Sequence, residues 1–141
     1  MKIAVINGPN INLIGVREKN IYGVQSIDQC MQALISTYPQ VQFSFFQSNI
    51  EGELIDEIQK RGFDCEGIIL NPAGYTHTSV AIGDAVAAVS ANVIEVHISN
   101  IMAREEFRKI SHVSSKVIGV ISGLGLLGYD LAVQYLISTS N

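Results

Sequence analysis

A glutamate and a histidine two residues apart are the side chains of this sequence best placed for proton transfer. Glu95 and His97 stand at the end of the apolar run 93–96. Residues i and i+2 of a strand lie on the same face, so the carboxylate can orient and charge the imidazole. Histidine is the usual general acid or base in enzymes, although a hydrogen-bonded core histidine is the alternative interpretation. The pair therefore indicates acid–base chemistry.

A second candidate for proton transfer is Tyr22, which follows Arg17 at a short distance in the chain. A phenol with a pKa near 10 is a poor base at neutral pH, but a nearby guanidinium favours the phenolate and lowers that pKa. A tyrosine that only packs its loop explains the spacing equally well. Both residues belong to the segment 8–25, the longest without periodicity, and such long loops are often lids over a site.

Further polar side chains suit the binding of an anionic, hydroxyl-rich small molecule. Neutral donors and one permanent cation come from Asn71, His77, Ser99 and Arg108. More donors after the first apolar run are Asn7, Asn10 and Asn12, although asparagine is also an ordinary turn residue. Asp84 lies in the first or second turn of a predicted helix, where its ordinary role is to complement the helix dipole.

Other chemistries find little support. Residues 123–128 match G-x-G-x-x-G after a strand, but Asp130 is far too close to be the acidic residue that a dinucleotide site needs about 20 positions further on. Close packing of helix on sheet is the better explanation of these glycines. The three histidines and two cysteines show no zinc-ligand spacing, and no G-x-S-x-G nucleophile elbow or P-loop lysine is present. We therefore expect neither a metal nor a cofactor.

The composition is that of a chain with little charge. Hydrophobic residues make up 48% of the 141 residues and charged residues 16%, against about 25% charged in an ordinary soluble domain. A chain with so few charged side chains cannot cover its whole surface with them. We therefore expect this chain to pack against other copies of itself. The net charge of −4 and the lack of a basic stripe argue against nucleic-acid binding.

Two features bear on location. No stretch approaches the ~18 apolar residues of a membrane span, and the first apolar run is too short for a secretory core. Cys30 and Cys65 are best explained as reduced, buried thiols. We therefore expect a cytoplasmic protein without a membrane partner.

Apolar runs alternate with helix-period stretches along the chain. Strands are predicted at 2–7, 41–47, 67–70, 93–97 and 116–122, and helices from Ser26 to before Pro39, around 54–62, over 79–90 and over 126–137. Ser26 and Gln29 match a capping box, and Gly62 is expected to end its helix in the left-handed conformation. No linker interrupts the pattern, so residues 1–141 are predicted to form a single domain.

This alternation predicts an α/β fold with a doubly wound parallel sheet. Five strands and three helical crossovers favour the flavodoxin-like order 2-1-3-4-5 over a Rossmann half. In that order the first and third strands are neighbours whose chains leave in opposite directions, which opens a crevice at their carboxyl ends. The polar stretches 7–22, 71–77 and 95–100 should therefore converge on one ligand site.

Seven motifs carry a more specific likeness. They are N-G-P-N-I-N-L-I-G at 7–15, R-E at 17–18, I-Y-G at 21–23, F-Q-S-N with E-G-E within 46–53, N-P with Y-T-H within 71–77, E-V-H-I-S-N at 95–100 and R-E-E-F-R at 104–108. In order and spacing they resemble the type II 3-dehydroquinate dehydratases. This resemblance implies a flavodoxin-like lyase of the shikimate pathway. Its reaction would be the anti dehydration of 3-dehydroquinate to 3-dehydroshikimate through an enolate, without metal or cofactor.

The resemblance also implies roles for the residues that act on the reacting atoms. Tyr22 would remove the proton beside the ketone, and Arg17 would keep its phenol ionised. His97, paired with Glu95, would protonate the departing hydroxyl. Asn12 would hold a water that stabilises the enolate oxygen.

Substrate binding follows from the same resemblance. The substrate carboxylate would be held by Asn71 and by the backbone N–H groups of Ile98 and Ser99. The ring hydroxyls would be held by groups from three places in the chain, namely His77, Asp84 and Arg108, with Asp84 supplied by a neighbouring subunit. Members of this family typically assemble as dodecamers built from trimers, in agreement with the low charge.

Two departures from the family pattern stand out. Ala73-Gly74 occupies the place where the family usually has Gly-Ala, and Gly83 stands where an arginine commonly precedes the aspartate. The first change affects the loop that presents His77, and the second affects the intersubunit contact around Asp84. Two other function classes stay open at this point: a flavodoxin-like electron carrier, and a cofactor-free binding protein for sugar acids.

Overall fold

The structure, a computed structural model, describes residues 1–16 and 25–140. The described strands are β1 (Lys2–Asn7), β2 (Gln42–Gln47), β3 (Gly67–Asn71), β4 (Asn92–His97) and β5 (Gly119–Ser122). The helices are α1 (Ile27–Thr37), α2 (Glu51–Gly62), α3 (Val80–Ala88) and α4 (Leu127–Ser138). All neighbouring strands pair in parallel in the order β2-β1-β3-β4-β5. The predicted strand order is therefore confirmed.

The core lies on both faces of the sheet. On one face, α1 and α4 pack against the strands through side chains such as Leu34 and Val133, and on the other α2 and α3 do so through Leu54 and Ile82. The central strand β3 is buried along its whole length. A strand covered on both faces is apolar throughout, which explains why 67–70 is a continuous apolar run. No helix within residues 1–16 and 25–140 is long and apolar enough to cross a membrane.

Helix α1 begins with the capping hydrogen bonds that the sequence predicts. The Ser26 hydroxyl accepts a hydrogen bond from the Gln29 backbone N–H at 3.2 Å, and the Gln29 side chain accepts one from the Ser26 N–H at 2.9 Å. The reciprocal pair satisfies two backbone donors that the first helical turn leaves free. The predicted capping box is confirmed.

The role predicted for Gly62 is wrong. This residue is the last of α2 rather than a left-handed cap, and the residue that follows it, Phe63, has a right-handed backbone with φ of −111°. A Cβ atom at position 62 would lie 2.3 Å from the Cβ of Val89. The Gly62 carbonyl also accepts hydrogen bonds from the N–H groups of Ser90 and Ala91. A close approach between the ends of α2 and α3 therefore explains the glycine.

The region between β4 and β5 contains no regular α-helix. Short 3-10 helices cover Ile101–Ala103, Glu106–Lys109 and Ser114–Lys116, so β5 begins at Gly119 rather than at Lys116. After β5, Gly123 and Gly125 have positive φ angles of 89° and 62°. At Gly123 a Cβ would also lie 2.9 Å from the Cβ of Asn100, in the loop after β4. Packing of helix on sheet explains Gly128, where a Cβ would lie 3.2 Å from the Val96 side chain.

Candidate active site

At the carboxyl end of β4, a buried glutamate is paired with a histidine. Glu95 is fully buried, and its Oε1 lies 2.6 Å from Nε2 of His97. Because a carboxylate oxygen can only accept, this contact leaves Nδ1 as the ring nitrogen available to other groups. The two-residue spacing thus places carboxylate and imidazole on the same face of the strand.

Two hydroxyl groups complete the surroundings of Glu95. Thr76 donates to Oε1 and Ser114 donates to Oε2, each at 2.5 Å. Burial by itself would raise the pKa of the Glu95 carboxyl, but the hydrogen bonds from His97, Ser114 and Thr76 outweigh burial and hold that pKa below its usual range. Glu95 is therefore a buried carboxylate with donors on both oxygens.

A cavity of about 310 Å³ opens beside this pair at the carboxyl edge of the sheet. The loop after β1 contributes Pro9, Asn10, Ile11 and Ile14. Several predicted site residues also line it, namely Asn71, His77, His97, Ile98, Ser99 and Arg108. The crevice lies where the first and third strands diverge, at the position that the strand order favours for a ligand.

Two guanidinium groups give the cavity a positive side. Arg108 lines it, is hydrogen-bonded through Nε to Glu105 at 2.6 Å, and lies over the Phe107 ring at 5.0 Å. Arg104 also lines it and donates to the Ser99 hydroxyl at 3.3 Å. Arg104 is not among the predicted binding residues. Its place in the same R-E-E-F-R motif as Arg108 is the signal that could have identified it.

His77 lies next to His97 in this cavity. The ring centroids are 6.4 Å apart and the planes are inclined by 20°. Nδ1 of His77 is 2.7 Å from the Ile110 carbonyl oxygen. A carbonyl can only accept, so Nδ1 carries a proton and Nε2 is the nitrogen left for a ligand. Position 77 can thus accept from a hydroxyl in its neutral form and donate in its charged form.

Asn71 is held from below by a buried tyrosine. Its Nδ2 donates to the Tyr129 hydroxyl at 2.9 Å, and that hydroxyl donates to Oδ1 of Asn7 at 2.7 Å. The Oδ1 of Asn71 accepts from the Ala73 N–H at 3.1 Å. Burial raises the pKa of Tyr129 far above its ordinary value, so this phenol is a structural donor and not a base. The amide of Asn71 therefore has a defined orientation at the cavity wall.

The loop after β3 contains an unusual backbone conformation. Ala73 has a φ of +52°, in the left-handed region that only glycine adopts without steric cost. Gly74 has no positive φ, and a Cβ there would meet no atom of residues 1–16 and 25–140 within 4 Å. The inverted order of Ala73 and Gly74 thus places a Cβ at position 73, where the positive φ makes a side chain unfavourable.

Some predicted site residues are not part of this cavity. Asn12 is exposed, accepts from the Gln47 side chain at 3.3 Å and lines a neighbouring hollow instead. Asp84 is exposed on α3 and is not among the residues that line the cavity. Arg17 and Tyr22 lie outside the described residues. Within 1–16 and 25–140, no group of three or more His, Cys, Asp or Glu side chains could hold a metal ion.

This arrangement can bind and protonate a small anionic molecule. The arginines and the Asn71 amide provide attraction for a carboxylate, and His97 offers a ring nitrogen backed by a buried carboxylate. An imidazole of this kind can give a proton to a leaving hydroxyl group. The cavity therefore suits general acid catalysis on a hydroxylated acid.

Comparisons with known proteins agree with this chemistry. The family model described as dehydroquinase class II matches residues 1–137. A 3-dehydroquinate dehydratase of Fusobacterium nucleatum is 56% identical over 147 aligned positions, which cover 100% of this chain and 99% of that protein. The crystal structure of a type II dehydroquinase from Butyrivibrio crossotus superimposes with a TM-score of 0.89 at 47% identity, covering 97% of both chains.

A second crystal structure gives the same result at lower identity. The type II dehydroquinase from Propionibacterium acnes is 38% identical, with a TM-score of 0.87 over 97% of this chain and 98% of that one. Sequence and structure thus agree over nearly the whole length. The chain belongs to the class II dehydroquinase family.

Proposed function

We propose that this chain is a type II 3-dehydroquinate dehydratase, a lyase that converts 3-dehydroquinate to 3-dehydroshikimate in the shikimate pathway. The observation that carries this proposal is the buried Glu95–His97 pair beside a cavity with two arginines. Relatives that share about half of their residues with this chain are 3-dehydroquinate dehydratases. The family assignment disfavours the electron carrier and the sugar-acid binding protein, neither of which needs a general acid.

The reaction requires a proton acceptor, a stabilised enolate and a proton donor. A base removes a proton from the carbon beside the ketone, and the electrons of that C–H bond form an enolate. The enolate then collapses to a conjugated enone as the C–O bond to the hydroxyl on the next carbon breaks. That hydroxyl leaves as water after it takes a proton from an acid. The two proton transfers follow the anti course that the family resemblance implies.

His97 is our candidate for the acid. Glu95 fixes the ring through Nε2 at 2.6 Å, so the proton for the leaving hydroxyl comes from Nδ1. Protonating the hydroxyl avoids the release of free hydroxide, a poor leaving group.

Tyr22 is our candidate for the base, with Arg17 as the cation that keeps its phenol ionised. Both lie outside the described residues, and the family resemblance supports their roles. Asn12, which already uses its side-chain oxygen toward Gln47, would hold a water against the enolate oxygen. Groups that stabilise charge where it develops typically lower the barrier of such a reaction more than any other effect.

The substrate is bound by its carboxylate and its ring hydroxyls. We assign the carboxylate to Asn71 and the N–H groups of Ile98 and Ser99, which follow the last residue of β4. The hydroxyls are assigned to His77 and Arg108, which line the same cavity. This placement leaves the reacting carbons beside His97.

We further propose that the enzyme works as a dodecamer built from trimers. Asp84 is exposed on α3 and is not among the described residues that line its own cavity, which supports its supply to the substrate of a neighbouring copy. Large apolar side chains on and near β5 are exposed in the single chain, including Ile118, Val120 and Leu127. Cys30 and Cys65 are free thiols, as expected for the cytoplasm, where we place the enzyme.

The test is a spectroscopic assay of purified protein with 3-dehydroquinate. The expected result is growth of the ultraviolet absorbance of a conjugated enone, in the presence or absence of borohydride. Inactivation by borohydride would indicate an imine intermediate and reject the mechanism. Substrate binding without enone formation would instead favour the sugar-acid binding protein, and a yellow chromophore would favour the electron carrier.

A further inference from the structure

Glu95 receives hydrogen bonds from two hydroxyl groups that belong to distant parts of the chain. Thr76 lies in the 3-10 helix Ala73–His77 after β3, and Ser114 begins the 3-10 helix Ser114–Lys116 before β5. Thr76 donates to Oε1 and Ser114 to Oε2, each at 2.5 Å. Thr76 is fully buried and Ser114 is half-buried. The Glu95 carboxylate orients His97, and hydrogen bonds to both of its oxygens orient the carboxylate in turn.

A third hydroxyl sets the direction of these hydrogen bonds. The Ser111 Oγ accepts from the backbone N–H groups of Val113 at 3.1 Å and Ser114 at 2.9 Å. Its own proton is therefore free to donate to Thr76 Oγ1, 2.8 Å away. With that lone pair of Thr76 occupied, the Thr76 proton points at Glu95. The series Ser111, Thr76, Glu95 consequently presents a donor to Oε1 of Glu95, which suits an ionised carboxylate.

We propose that Thr76 and Ser114 are positioning residues for the dehydration: they hold both oxygens of Glu95 so that Nε2 of His97 stays bound to it and Nδ1 serves the substrate. This inference rests on the proposed function. Neither hydroxyl is among the residues that line the cavity, so both act through Glu95. Groups that orient a buried carboxylate–histidine pair in metal sites typically contribute 10- to 100-fold, and we expect effects of about that size here.

Loss of either hydroxyl has a defined consequence. A buried carboxylate without a donor on one oxygen is more costly to keep charged, so Glu95 becomes protonated at a higher pH. The titratable and charged groups on the surrounding elements are His97, His77, Asp84, Arg104, Glu105, Glu106, Arg108, Lys109, His112 and Lys116. Among the described residues, only His97 contacts the Glu95 carboxylate as a charged partner. Protonated Glu95 then no longer places a negative charge beside Nε2 of His97.

The experiment compares Thr76→Val and Ser114→Ala with wild type in steady-state kinetics over a range of pH. Each variant should lower kcat by about 10-fold or more with little change in KM, and should move the acid limb of the kcat profile to higher pH. Thr76→Ser, which keeps the hydroxyl, should restore most of the activity and the original profile. Because Ser114 is only half-buried, Ser114→Ala is the variant to read if Thr76→Val fails to fold.

The matched control is Ser44→Ala. The Ser44 hydroxyl, on β2, is also buried, but it has no hydrogen-bond partner among the described residues. Its removal should leave kcat and the pH profile unchanged. The proposal is overturned if folded Ser114→Ala has wild-type kcat and an unmoved acid limb, or if it behaves like Ser44→Ala. A wild-type protein without dehydratase activity would reject the proposed function itself, which is a different outcome.

Discussion

At the scale of single residues, the site depends on how a buried charge is satisfied. Glu95 has no solvent exposure and receives a hydrogen bond from an imidazole and two from hydroxyls. Burying a carboxylate without such partners costs several kcal/mol. The donors therefore make it possible to keep a negative charge directly behind the acid that faces the cavity.

Ala73 offers a prediction at the same scale. Its φ of +52° costs an L-residue with a Cβ about 1–2 kcal/mol, a cost that glycine avoids. Ala73→Gly should therefore raise the free energy of unfolding by up to about 1 kcal/mol, since the added freedom of the unfolded chain offsets part of the gain. Urea denaturation followed by circular dichroism measures the change.

Gly74→Ala serves as the control for this experiment. Position 74 has no positive φ, and a Cβ there has open space in the described part of the chain, so this substitution should leave stability unchanged or slightly raised. A marked loss of stability in Ala73→Gly, with Gly74→Ala near wild type, would contradict the strained conformation assigned to Ala73.

Part of the residue-scale picture could be predicted from the sequence. The i, i+2 spacing of Glu95 and His97 follows strand geometry, so their contact needed no tertiary information. Thr76 and Ser114 could not be found in this way, because serines and threonines are common and nothing in their local spacing points to β4. The hydroxyls meet Glu95 only through loops that the fold brings together.

At the scale of elements, glycine at the end of α2 allows two helices to approach. A Cβ at Gly62 would lie 2.3 Å from Val89, whereas a Cβ at Gly52 in the same helix would meet no atom of the described residues within 4 Å. Gly62→Ala should therefore lower the free energy of unfolding by about 1–3 kcal/mol through overpacking. Gly52→Ala should raise it by up to about 1 kcal/mol through helix propensity. Thermal denaturation of both variants provides the comparison, and a stabilised Gly62→Ala would show that this contact is not tight.

Element boundaries were predictable where a local signal exists. The capping box of Ser26 and Gln29 identifies the start of α1 from four residues alone. The same kind of local reasoning predicted the wrong role for Gly62, because a glycine near a helix end is typical both of a left-handed cap and of close packing. The backbone conformation at Gly62 and Phe63 and the position of Val89 distinguish the two.

The connection from β4 to β5 shows a further limit. Its 3-10 helices have no periodicity that a sequence pattern could reveal, yet they carry Arg104, Arg108 and Ser114 to the site. Arg104 and Arg108 of this segment line the cavity together with residues of the β1 loop. Irregular connections of this kind are shaped by what they contact rather than by local propensity.

At the scale of the whole molecule, the position of the cavity follows from the strand order. Alternation of strands and helices predicts a parallel sheet, and the order β2-β1-β3-β4-β5 places the crevice between the first and third strands. The assembly is a separate matter. Exposed apolar side chains predict contact between copies, but they do not by themselves give the number of subunits.

The proposed assembly can be tested on the intact protein. Strand β5 ends the sheet in the single chain, and Val120 on it is 44% exposed. An uncovered apolar edge strand favours association, so sedimentation should show that the wild type is oligomeric. The dodecamer that we propose would give the mass of twelve chains. Val120→Lys should reduce that mass, because a buried unpaired charge opposes association. A monomeric wild type would contradict the dodecamer and the supply of Asp84 by a second copy.

The central claim is that His97, held by Glu95, gives its proton to the departing hydroxyl. The most direct test is the kcat of His97→Asn for 3-dehydroquinate, measured by enone absorbance. Asparagine keeps a polar side chain at the cavity wall but cannot act as an acid, so kcat should fall by about 10² or more, the usual contribution of a general acid, while KM changes little. A His97→Asn enzyme with near wild-type kcat would contradict the role of this histidine and the chemistry built on it.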